Sequence, residues 1–349
     1  GENIMHALKR FGTAFGGYKM MENYPVPECG PDDIILEIKA AAICGADMKH
    51  WGVDNGYDDT NITPDQQQSV RGHEFAGEIV KVGENVKDWH IGQRVVSDNS
   101  AHVCGVCPAC EQGDFLCCEH KVNLGLDNNT WGGGFSKYCK VPGEILAIHK
   151  HAIWEIPEGI KYEEACVLDP ICNAYKAVAQ QSHLIPGQDV VVFGTGPLGL
   201  FSVQVAKLMG AVNIVMVGLD DDVKVRFGVA KELGATHCVN GSKEDVVARC
   251  TEICGRDNLG LVIECSGANI ALKQAIEMTR PNAEIVRVGM GFKPLEFSIN
   301  DITAWNKSII GHMAYDSTSW RNCIRLLQSG QIKVQPMITH RLGLSQWQE

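Results

Sequence analysis

The sequence predicts an α/β protein in which a β-rich unit is joined to a doubly wound parallel sheet. The chain has 349 residues, which is enough for roughly two domains of about 150 residues each. Up to Gly159, short alternating runs are broken by Gly, Pro and Asp, which is typical of a barrel-like β unit. From about Glu163 to Gly291, apolar β-branched runs alternate with amphipathic stretches, which indicates parallel strands covered by helices on both faces.

The domain boundaries follow from the places where this texture changes. The alternating β pattern ends near Gly159, and the strand–helix rhythm is lost after Lys293. The tail beyond that point is expected to return to the first unit. We therefore expect a β-rich domain over 1–159 and 297–349, and a parallel-sheet domain over 160–296.

Individual strands can be assigned from the apolar pattern of each domain. In the β-rich domain, the alternation over Ile34–Ala40 and Gly77–Gly83 predicts two half-buried strands. The second domain has continuous apolar runs, which predict buried strands. These runs are Asp189–Phe193, Asn213–Val217, Leu261–Glu264 and Glu284–Val288.

Composition excludes several classes of partner. Lys and Arg number 31 against 42 Asp and Glu, a net charge of −11, which argues against nucleic acid or an anionic membrane as the main partner. A hydrophobic content of 45% with 21% charged residues is typical of a folded globular chain. No apolar run approaches the roughly 20 residues of a membrane span, and the N-terminus has no apolar signal segment. A soluble, cytoplasmic protein that acts on a small molecule is expected.

A glycine motif follows the first strand of the second domain and opens a helix. The motif G-x-G-x-x-G comprises Gly194, Thr195, Gly196, Pro197, Leu198 and Gly199. A helix is predicted next, because Leu198, Phe201 and Val205 fall on one face. The first glycine makes the tight turn, the second lets a pyrophosphate approach the backbone, and the third lets the helix pack on the strand. The pattern predicts a Rossmann dinucleotide site.

Acidic residues follow the second strand of this domain, which ends at Gly218. Asp220 and Asp221, with Asp222 after them, would repel a 2′-phosphate, and no arginine lies immediately beside them. This pattern favours NAD over NADP. A solvated helix start with one Asp as N-cap is the alternative interpretation of two of the three acids.

A four-cysteine pattern predicts a closed metal site. The spacing C-x2-C-x2-C-x7-C is formed by Cys104, Cys107, Cys110 and Cys118. Four thiolates on a compact loop satisfy tetrahedral zinc with no open position, which is typical of a structural site. Cys117 competes with Cys118 for the fourth place, and spacing alone does not separate the two.

Cys44, His73 and Asp169 are candidates for a second metal site. One thiolate, one imidazole and one carboxylate would leave a fourth position for water or a substrate oxygen, as a catalytic zinc needs. The three residues lie far apart in the sequence, so spacing alone is weak evidence for this site.

The motifs together resemble the zinc-dependent medium-chain dehydrogenases, closest in type to sorbitol, polyol and threonine dehydrogenases. Besides the glycine motif and the four cysteines, the matching pieces are Cys44-Gly45 with Asp47, Gly72-His73-Glu74 with Gly77, Val82-Gly83, Gly92 with Arg94-Val95, Gly133-Gly134-Phe135, Leu233-Gly234-Ala235 and Glu264-Cys265-Ser266-Gly267. The resemblance implies a GroES-like catalytic domain and a Rossmann domain. It also implies that Cys44, His73 and Asp169 surround the catalytic zinc, with Glu74 as an alternate or water-linked ligand.

Three departures from the family pattern concern the catalytic residues. Polyol-type members usually carry Glu where this chain has Asp169. The family commonly has Ser or Thr two residues after the zinc Cys, and here that residue is Ala46, which has no hydroxyl. The relay His of some alcohol dehydrogenases is replaced by Lys49, with His50 next to it. The proton is therefore expected to leave through Glu74, Lys49, His50 or water.

The resemblance implies reversible, NAD-linked oxidation of a secondary alcohol in a polyol or sugar alcohol, with a short four-carbon polyol as the most specific guess. It further implies two zinc ions per chain and a homo-oligomer, a tetramer by family resemblance. The enzymatic alternatives are a threonine-type amino-alcohol dehydrogenase and a simple alcohol dehydrogenase. A non-enzymatic protein that binds zinc and a dinucleotide is disfavoured by the retained Cys44, His73 and Asp169.

Overall fold

The chain is organised as two compact units. The computed structural model describes residues 3–11, 16–51, 69–127, 130–291 and 293–349, with the side chains of Lys49 and His50 excepted. One unit comprises Gly1–Asp169 together with Ile338–Glu349, and the other comprises Pro170–Met337. Each unit is built around a sheet of its own.

The first unit is rich in β-strands. Its strands are β1 (Ile4–Arg10), β2 (Tyr18–Pro25), β3 (Ile34–Ala42), β4 (Glu74–Val82), β5 (Arg94–Ser97), β6 (Ser100–His102), β7 (Val122–Asn123), β8 (Tyr138–Val141) and β9 (Ile153–Glu155). Its helices are α1 (Gly45–Trp51), α2 (Pro108–Glu111), α3 (Gly143–Ile148) and α4 (Tyr162–Ala165).

A five-stranded antiparallel sheet forms the centre of this unit, in the order β8-β3-β4-β5-β9. The predicted strands at 34–40 and 77–83 correspond to β3 and β4, although β4 already begins at Glu74. The sheet buries Leu36, Phe75 and Ile79 in a core that extends to the cysteine-rich lobe. Because β3 and β4 are antiparallel, Ala42 at the end of β3 pairs with Glu74 at the start of β4.

The second unit alternates strands and helices. In chain order it contains α5 (Leu168–Tyr175, which begins at the boundary), a π-helical turn (Lys176–Gln181), β10 (Val190–Phe193), α6 (Pro197–Leu208), β11 (Ile214–Gly218), α7 (Arg226–Leu233), β12 (His237–Asn240), α8 (Val246–Cys254), β13 (Leu261–Glu264), α9 (Asn269–Met278), β14 (Glu284–Arg287), α10 (Asn300–Thr303), β15 (Ser308–Gly311) and α11 (Ser317–Gln328). None of the helices found among the described residues has the length and apolar character needed to span a bilayer.

The strands of the second unit form one parallel sheet of six, in the order β12-β11-β10-β13-β14-β15. This order is that of a doubly wound sheet, in which the crevice lies outside the carboxyl ends of the central strands. The predicted α/β class with a GroES-like unit and a Rossmann unit is therefore confirmed. Four of these strands were expected from their apolar runs. The sequence does not predict β12 and β15, because both are edge strands without a continuous apolar run. His237–Asn240 is partly buried, and Ser308–Gly311 is mostly exposed.

The units divide the chain differently from the expected domains 1–159 with 297–349 and 160–296. Residues 297–337 belong to the second unit, because β15 pairs in parallel with β14 and α11 buries Trp320 and Cys323. Residues 160–169 belong to the first unit, since α4 packs against β3 and β4. Within the tail, only Ile338–Glu349 returns to the first unit.

Candidate metal and dinucleotide-binding sites

The antiparallel register of β3 and β4 brings three metal-binding side chains together. Cys44 lies two residues after β3, His73 directly precedes β4, and Glu74 is its first residue. One donor atom of each lies within 4.8 Å of the other two. His73 and Glu74 are buried and Cys44 is partly exposed. A thiol, an imidazole and a carboxylate thus converge at one end of the sheet.

Asp47 supports this cluster from the first turn of α1. One oxygen of its buried carboxylate, Oδ2, accepts a hydrogen bond from the main-chain N–H of Cys44 at 2.9 Å. The other, Oδ1, lies 3.7 Å from Nδ1 of His73 and 3.6 Å from the guanidinium of the fully buried Arg71. Asp47 therefore links the Cys44 loop, the His73 ring and a buried positive charge.

The cluster is electrostatically suited to a cation. Burial, followed by the charges of Asp169 and Asp47, raises the pKa of Glu74 well above its usual value. Burial and the neighbouring Glu74 raise the pKa of the Cys44 thiol in the same direction. A bound divalent ion would reverse both effects, because it favours the thiolate and the carboxylate. The donor set and its excess of anionic groups fit zinc.

Asp169 lies beside this cluster and not within the group of three. Its charge contributes to the raised pKa of Glu74, so it is close. Its Oδ2 accepts a hydrogen bond of 3.2 Å from the side-chain amide of Asn99. The sequence predicts Cys44, His73 and Asp169 as the ligands, and the family resemblance implies Glu74 as an alternate ligand. The structure brings Glu74 nearest and holds Asp169 through Asn99.

For two of the other proton-transfer candidates, Lys49 and His50, only the backbone is described. The backbones of Lys49 and His50 belong to α1, but their side chains lie outside the described part of the chain. Ala46 belongs to the first turn of the same helix. Among the described residues, the carboxylate of Glu74 is the proton-accepting group that lies in one cluster with the Cys44 sulfur and the His73 imidazole.

The four-cysteine lobe forms a second cluster. The Sγ atoms of Cys104, Cys107, Cys110 and Cys118 all lie within 4.8 Å of one another. Cys117, the competitor for the fourth place, is exposed and stands outside the cluster. The short helix Phe115–Cys117 produces this difference, because it ends just before Cys118 and turns that side chain into the core.

Main-chain N–H groups point at these sulfurs. The N–H of Cys107 donates to Sγ of Cys104 at 3.3 Å, and the N–H groups of Cys104 and His120 donate to Sγ of Cys118 at 3.3 and 3.4 Å. Hydrogen bonding from the main chain of Cys110 lowers the pKa of Cys107 to about 6. Donors of this kind stabilise thiolates, so the lobe fits a closed zinc site.

The glycine motif has the geometry expected of a phosphate-binding turn. Gly194, at the end of β10, has φ +98°, in the left-handed region that favours glycine. A Cβ on Gly199 would stand 1.7 Å from the carbonyl oxygen of Gly194, so the third glycine is needed for close packing. A Cβ on Gly196 would meet nothing within 4 Å. The space beside Gly196 is thus open to a ligand at the start of α6.

The three acids after β11 take different positions. Asp220 accepts a hydrogen bond of 2.7 Å from the Asn240 side chain and lies 4.0 Å from the Lys243 ammonium, at the rim of a pocket that Phe227 also lines. Asp221 is exposed. Asp222 is partly buried, and its Oδ2 accepts from the N–H of Leu219 at 2.8 Å.

Asp222, which the sequence groups with Asp220 and Asp221 as acids that would repel a 2′-phosphate, lies beside Gly218 at the end of β11. Its Oδ2 stands 2.7 Å from the point where a Cβ on Gly218 would be, and Cγ2 of Thr195 stands 2.8 Å from the same point. The signal in the sequence was Gly218 itself. Its missing side chain leaves the strand end open to an acid that follows four residues later.

The chain matches two family models that together span most of its length. Residues 30–151 match the alcohol dehydrogenase GroES-like domain, and residues 197–329 match the zinc-binding dehydrogenase domain. The chain is 78% identical to the uncharacterized zinc-type alcohol dehydrogenase-like protein YdjL of Escherichia coli (strain K12), over 99% of this chain and 94% of that protein.

More distant relatives differ in their activities. Sorbitol dehydrogenase of Halalkalibacterium halodurans is 30% identical, over 98% of this chain and 94% of that protein. L-threonine 3-dehydrogenase of Rhizobium rhizogenes is 32% identical, over 99% of this chain and 94% of that protein. Both alignments extend across both units.

Solved structures with the same fold carry either dinucleotide. A short chain alcohol dehydrogenase from E. coli CFT073, complexed with NADH, has a TM-score of 0.83 and 28% identity, covering 99% of this chain and 94% of that chain. A zinc-binding dehydrogenase from Sinorhizobium meliloti 1021, bound to NADP, has a TM-score of 0.81 and 27% identity, covering 96% and 91%. With the two metal-binding clusters and the glycine motif, these matches show that the chain belongs to the zinc-dependent medium-chain dehydrogenases, the family of the zinc-type alcohol dehydrogenases.

Proposed function

We propose that this protein reversibly oxidises a secondary alcohol of a polyol to a ketone, with NAD as the hydride acceptor and two zinc ions per chain. The observation that carries the proposal is the buried cluster of Cys44, His73 and Glu74, with Asp169 beside it. A closed structural site would have four protein donors in contact, as the cysteine lobe does. When bound at the mixed cluster, zinc supplies Lewis-acid polarisation of the substrate oxygen.

Cys44 and His73 would hold the ion, and we assign Asp169 as the carboxylate that completes the set. A carboxylate that binds a metal is commonly fixed by a further hydrogen bond. Asp169 has such a bond from Asn99. Asp47, which faces both the Cys44 main chain and the His73 ring, would hold those two ligands in place.

Glu74 is then available to accept the proton of the substrate hydroxyl. It belongs to the same cluster, and its carboxylate is 4% exposed, so it acts where bulk water is excluded. Ala46 cannot relay a proton, because it has no hydroxyl. A positioned carboxylate contributes about 10²–10⁴-fold to such a step. A nicotinamide bound at the glycine motif would accept the hydride from the alcohol carbon.

NAD is favoured over NADP by the position of Asp222. A carboxylate at the end of the second strand of a Rossmann sheet accepts hydrogen bonds from the ribose hydroxyls and repels a 2′-phosphate. Arg226 is the nearest arginine in sequence. Its guanidinium donates to the carbonyl oxygen of Thr195 at 2.8 Å, so one of its N–H groups is bonded to the glycine motif. The position of Asp222 therefore supports NAD as the preferred cofactor.

A polyol is the substrate class that the sorbitol dehydrogenase relative supports, and a four-carbon polyol is the narrower expectation. The L-threonine 3-dehydrogenase relative supports an amino alcohol as the second candidate. NADH absorbance at 340 nm, followed across tetritols, pentitols, hexitols, L-threonine and simple secondary alcohols, decides between them. Turnover of L-threonine alone would overturn the polyol assignment. No turnover of any alcohol by a protein that carries both zinc ions would overturn the enzymatic proposal.

Assembly and location are part of the same proposal. The resemblance favours a homotetramer, which sedimentation equilibrium of the purified protein would test. No two cysteines among the described residues are joined by a disulfide, which supports a reducing compartment such as the cytoplasm.

A further inference from the structure

The turn between β5 and β6 carries a buried asparagine in a restricted conformation. Asn99 is 7% exposed and has φ +63°, in the left-handed region. Asn and Gly are the residues that tolerate this region best, so the backbone alone would account for either of them. The side chain of Asn99 nevertheless has contacts that glycine cannot make.

The side-chain amide of Asn99 joins two predicted metal ligands from distant parts of the chain. Its Nδ2 donates to the carbonyl oxygen of His73 at 3.2 Å and to Oδ2 of Asp169 at 3.2 Å. An amide nitrogen has two hydrogens, so both bonds can form together. One group therefore fixes the main chain that carries the imidazole and one oxygen of the carboxylate.

We propose that Asn99 is a positioning residue for the zinc site, holding Asp169 by Oδ2 so that Oδ1 is the oxygen offered to the ion. This inference rests on the proposed function, because it requires a metal at the cluster. Asp has a shorter side chain than the Glu that polyol-type relatives carry, so its reach depends more on how it is anchored. Without the amide, the carboxylate would turn away from the neighbouring Glu74 charge.

The turn itself is held from its other side. Oδ2 of Asp98 lies 2.6 Å from Nε2 of the buried His149, and the His149 ring lies against Phe115 with centroids 4.6 Å apart. The carbonyl oxygen of Asn99 accepts from the N–H of Leu124 at 2.7 Å. Phe115 lies within the four-cysteine lobe, so the lobe supports the turn that presents Asn99. The turn that presents the amide is therefore held by contacts outside the metal cluster.

Two substitutions separate positioning from backbone conformation. Asn99→Asp keeps the shape and tolerates the left-handed backbone, but it replaces the donor with a second carboxylate. Asn99→Gly also tolerates this backbone and removes the side chain. Asn282→Asp is the matched control, because Asn282 has the same φ of +63° and lies in the other unit, remote from the cluster in sequence.

The first measurement is zinc affinity, determined by chelator competition on the full-length protein. The second is the d–d absorption spectrum of cobalt bound in place of zinc at Cys44 and His73. Both Asn99 variants are expected to weaken binding of the zinc at Cys44 and His73 by roughly 10–100-fold and to change the cobalt spectrum. The lobe zinc, the circular dichroism and the Asn282→Asp protein should be unchanged. Unaltered zinc affinity and cobalt spectrum in both Asn99 variants would overturn the inference.

A second arm tests whether Asn99 acts through Asp169. In an Asp169→Asn background, adding Asn99→Gly should weaken zinc binding several-fold less than it does in the wild-type background, because residues that act through one contact are not additive and only the bond to the His73 carbonyl oxygen remains to be lost. A full additional loss would overturn the assignment to Asp169. The proposed function fails separately, if the wild-type protein binds only the lobe zinc. A wild type with two zinc ions and unaffected Asn99 variants defeats this inference alone.

Discussion

The carboxylate of Asp222 shares with the ring of Phe227 the space that a side chain on Gly218 would otherwise fill. Its Oδ2 lies 2.7 Å from the position of a Cβ on Gly218 and is held by the N–H of Leu219 at 2.8 Å. The chain thus ends β11 with a glycine and supplies the acid from the following turn. This arrangement places a negative charge next to Thr195 of the glycine motif.

Asp222→Asn should reduce the preference for NAD. The substitution keeps the size of the side chain and removes its charge, so a 2′-phosphate is no longer repelled. We expect the ratio of kcat/KM for NAD over NADP to fall about 10-fold or more, which is about 1.4 kcal/mol. Dissociation constants for NADH and NADPH, from fluorescence titration, should show the same loss of preference for the cofactor without the 2′-phosphate. The exposed Asp221→Asn is the control, and a change confined to that variant would return the role to Asp221.

Gly196→Ala should impair cofactor binding and leave the fold intact. The backbone at Gly196 has φ −71°, which alanine adopts, and an added Cβ would meet no protein atom within 4 Å. It would instead enter the space assigned to the pyrophosphate. NADH binding should weaken at least roughly tenfold, about 1.4 kcal/mol, with Tm nearly unchanged.

Gly199→Ala provides the opposite case. Its Cβ would stand 1.7 Å from the Gly194 carbonyl oxygen, so the turn must shift. Overpacking of this kind costs about 1–3 kcal/mol, and thermal unfolding without cofactor should show it. Equal stability of the two variants would contradict this description of the motif.

Chelation should remove the zinc ions in sequence. The mixed cluster has fewer protein donors than the lobe and an open position for substrate, so its ion should leave first. Metal analysis is expected to return two zinc ions per chain before treatment and one afterwards, with activity lost and circular dichroism retained. A starting content of one zinc or none would count against the two-site assignment.

Cys107→Ser should destabilise the lobe, because a closed zinc site contributes folding free energy. We expect loss of one zinc and a fall in Tm of at least about 5 °C. Cys117→Ser is the matched control, since Cys117 is exposed and outside the cluster. If Cys117→Ser lost the zinc and Cys107→Ser kept it, the assignment of lobe ligands would be wrong.

Glu74→Gln separates a proton acceptor from a ligand. The substitution keeps the size of the side chain and removes its basic group. If Glu74 accepts the proton, kcat should fall by roughly 10²-fold or more, with zinc content retained and the pH dependence of kcat altered. Loss of zinc would instead identify Glu74 as a ligand. Near-normal kcat with normal zinc would exclude both roles and direct attention to Lys49 and His50.

Features that depend on short spacing can be predicted from the residues alone. The turn around Gly194 and the packing of Gly199 on it are set within six residues. The first three lobe cysteines are likewise three residues apart. The family resemblance added Cys44, His73 and Asp169 as the catalytic set. Apolar runs also predicted four of the six strands of the second sheet.

Contacts between side chains that lie far apart in the sequence become visible only in the folded chain. Glu74 reaches Cys44 because Ala42 pairs with Glu74 in the register of β3 and β4. Asn99 reaches Asp169 from the turn between β5 and β6, where its side-chain amide donates to the carboxylate. Asp222 folds back onto Gly218 through one main-chain hydrogen bond. The sequence does not predict the edge strand β15, because its residues are mostly exposed and only the pairing with β14 places it in the sheet. Sheet register and turn packing set these contacts, and neither is expressed in the local pattern of residues.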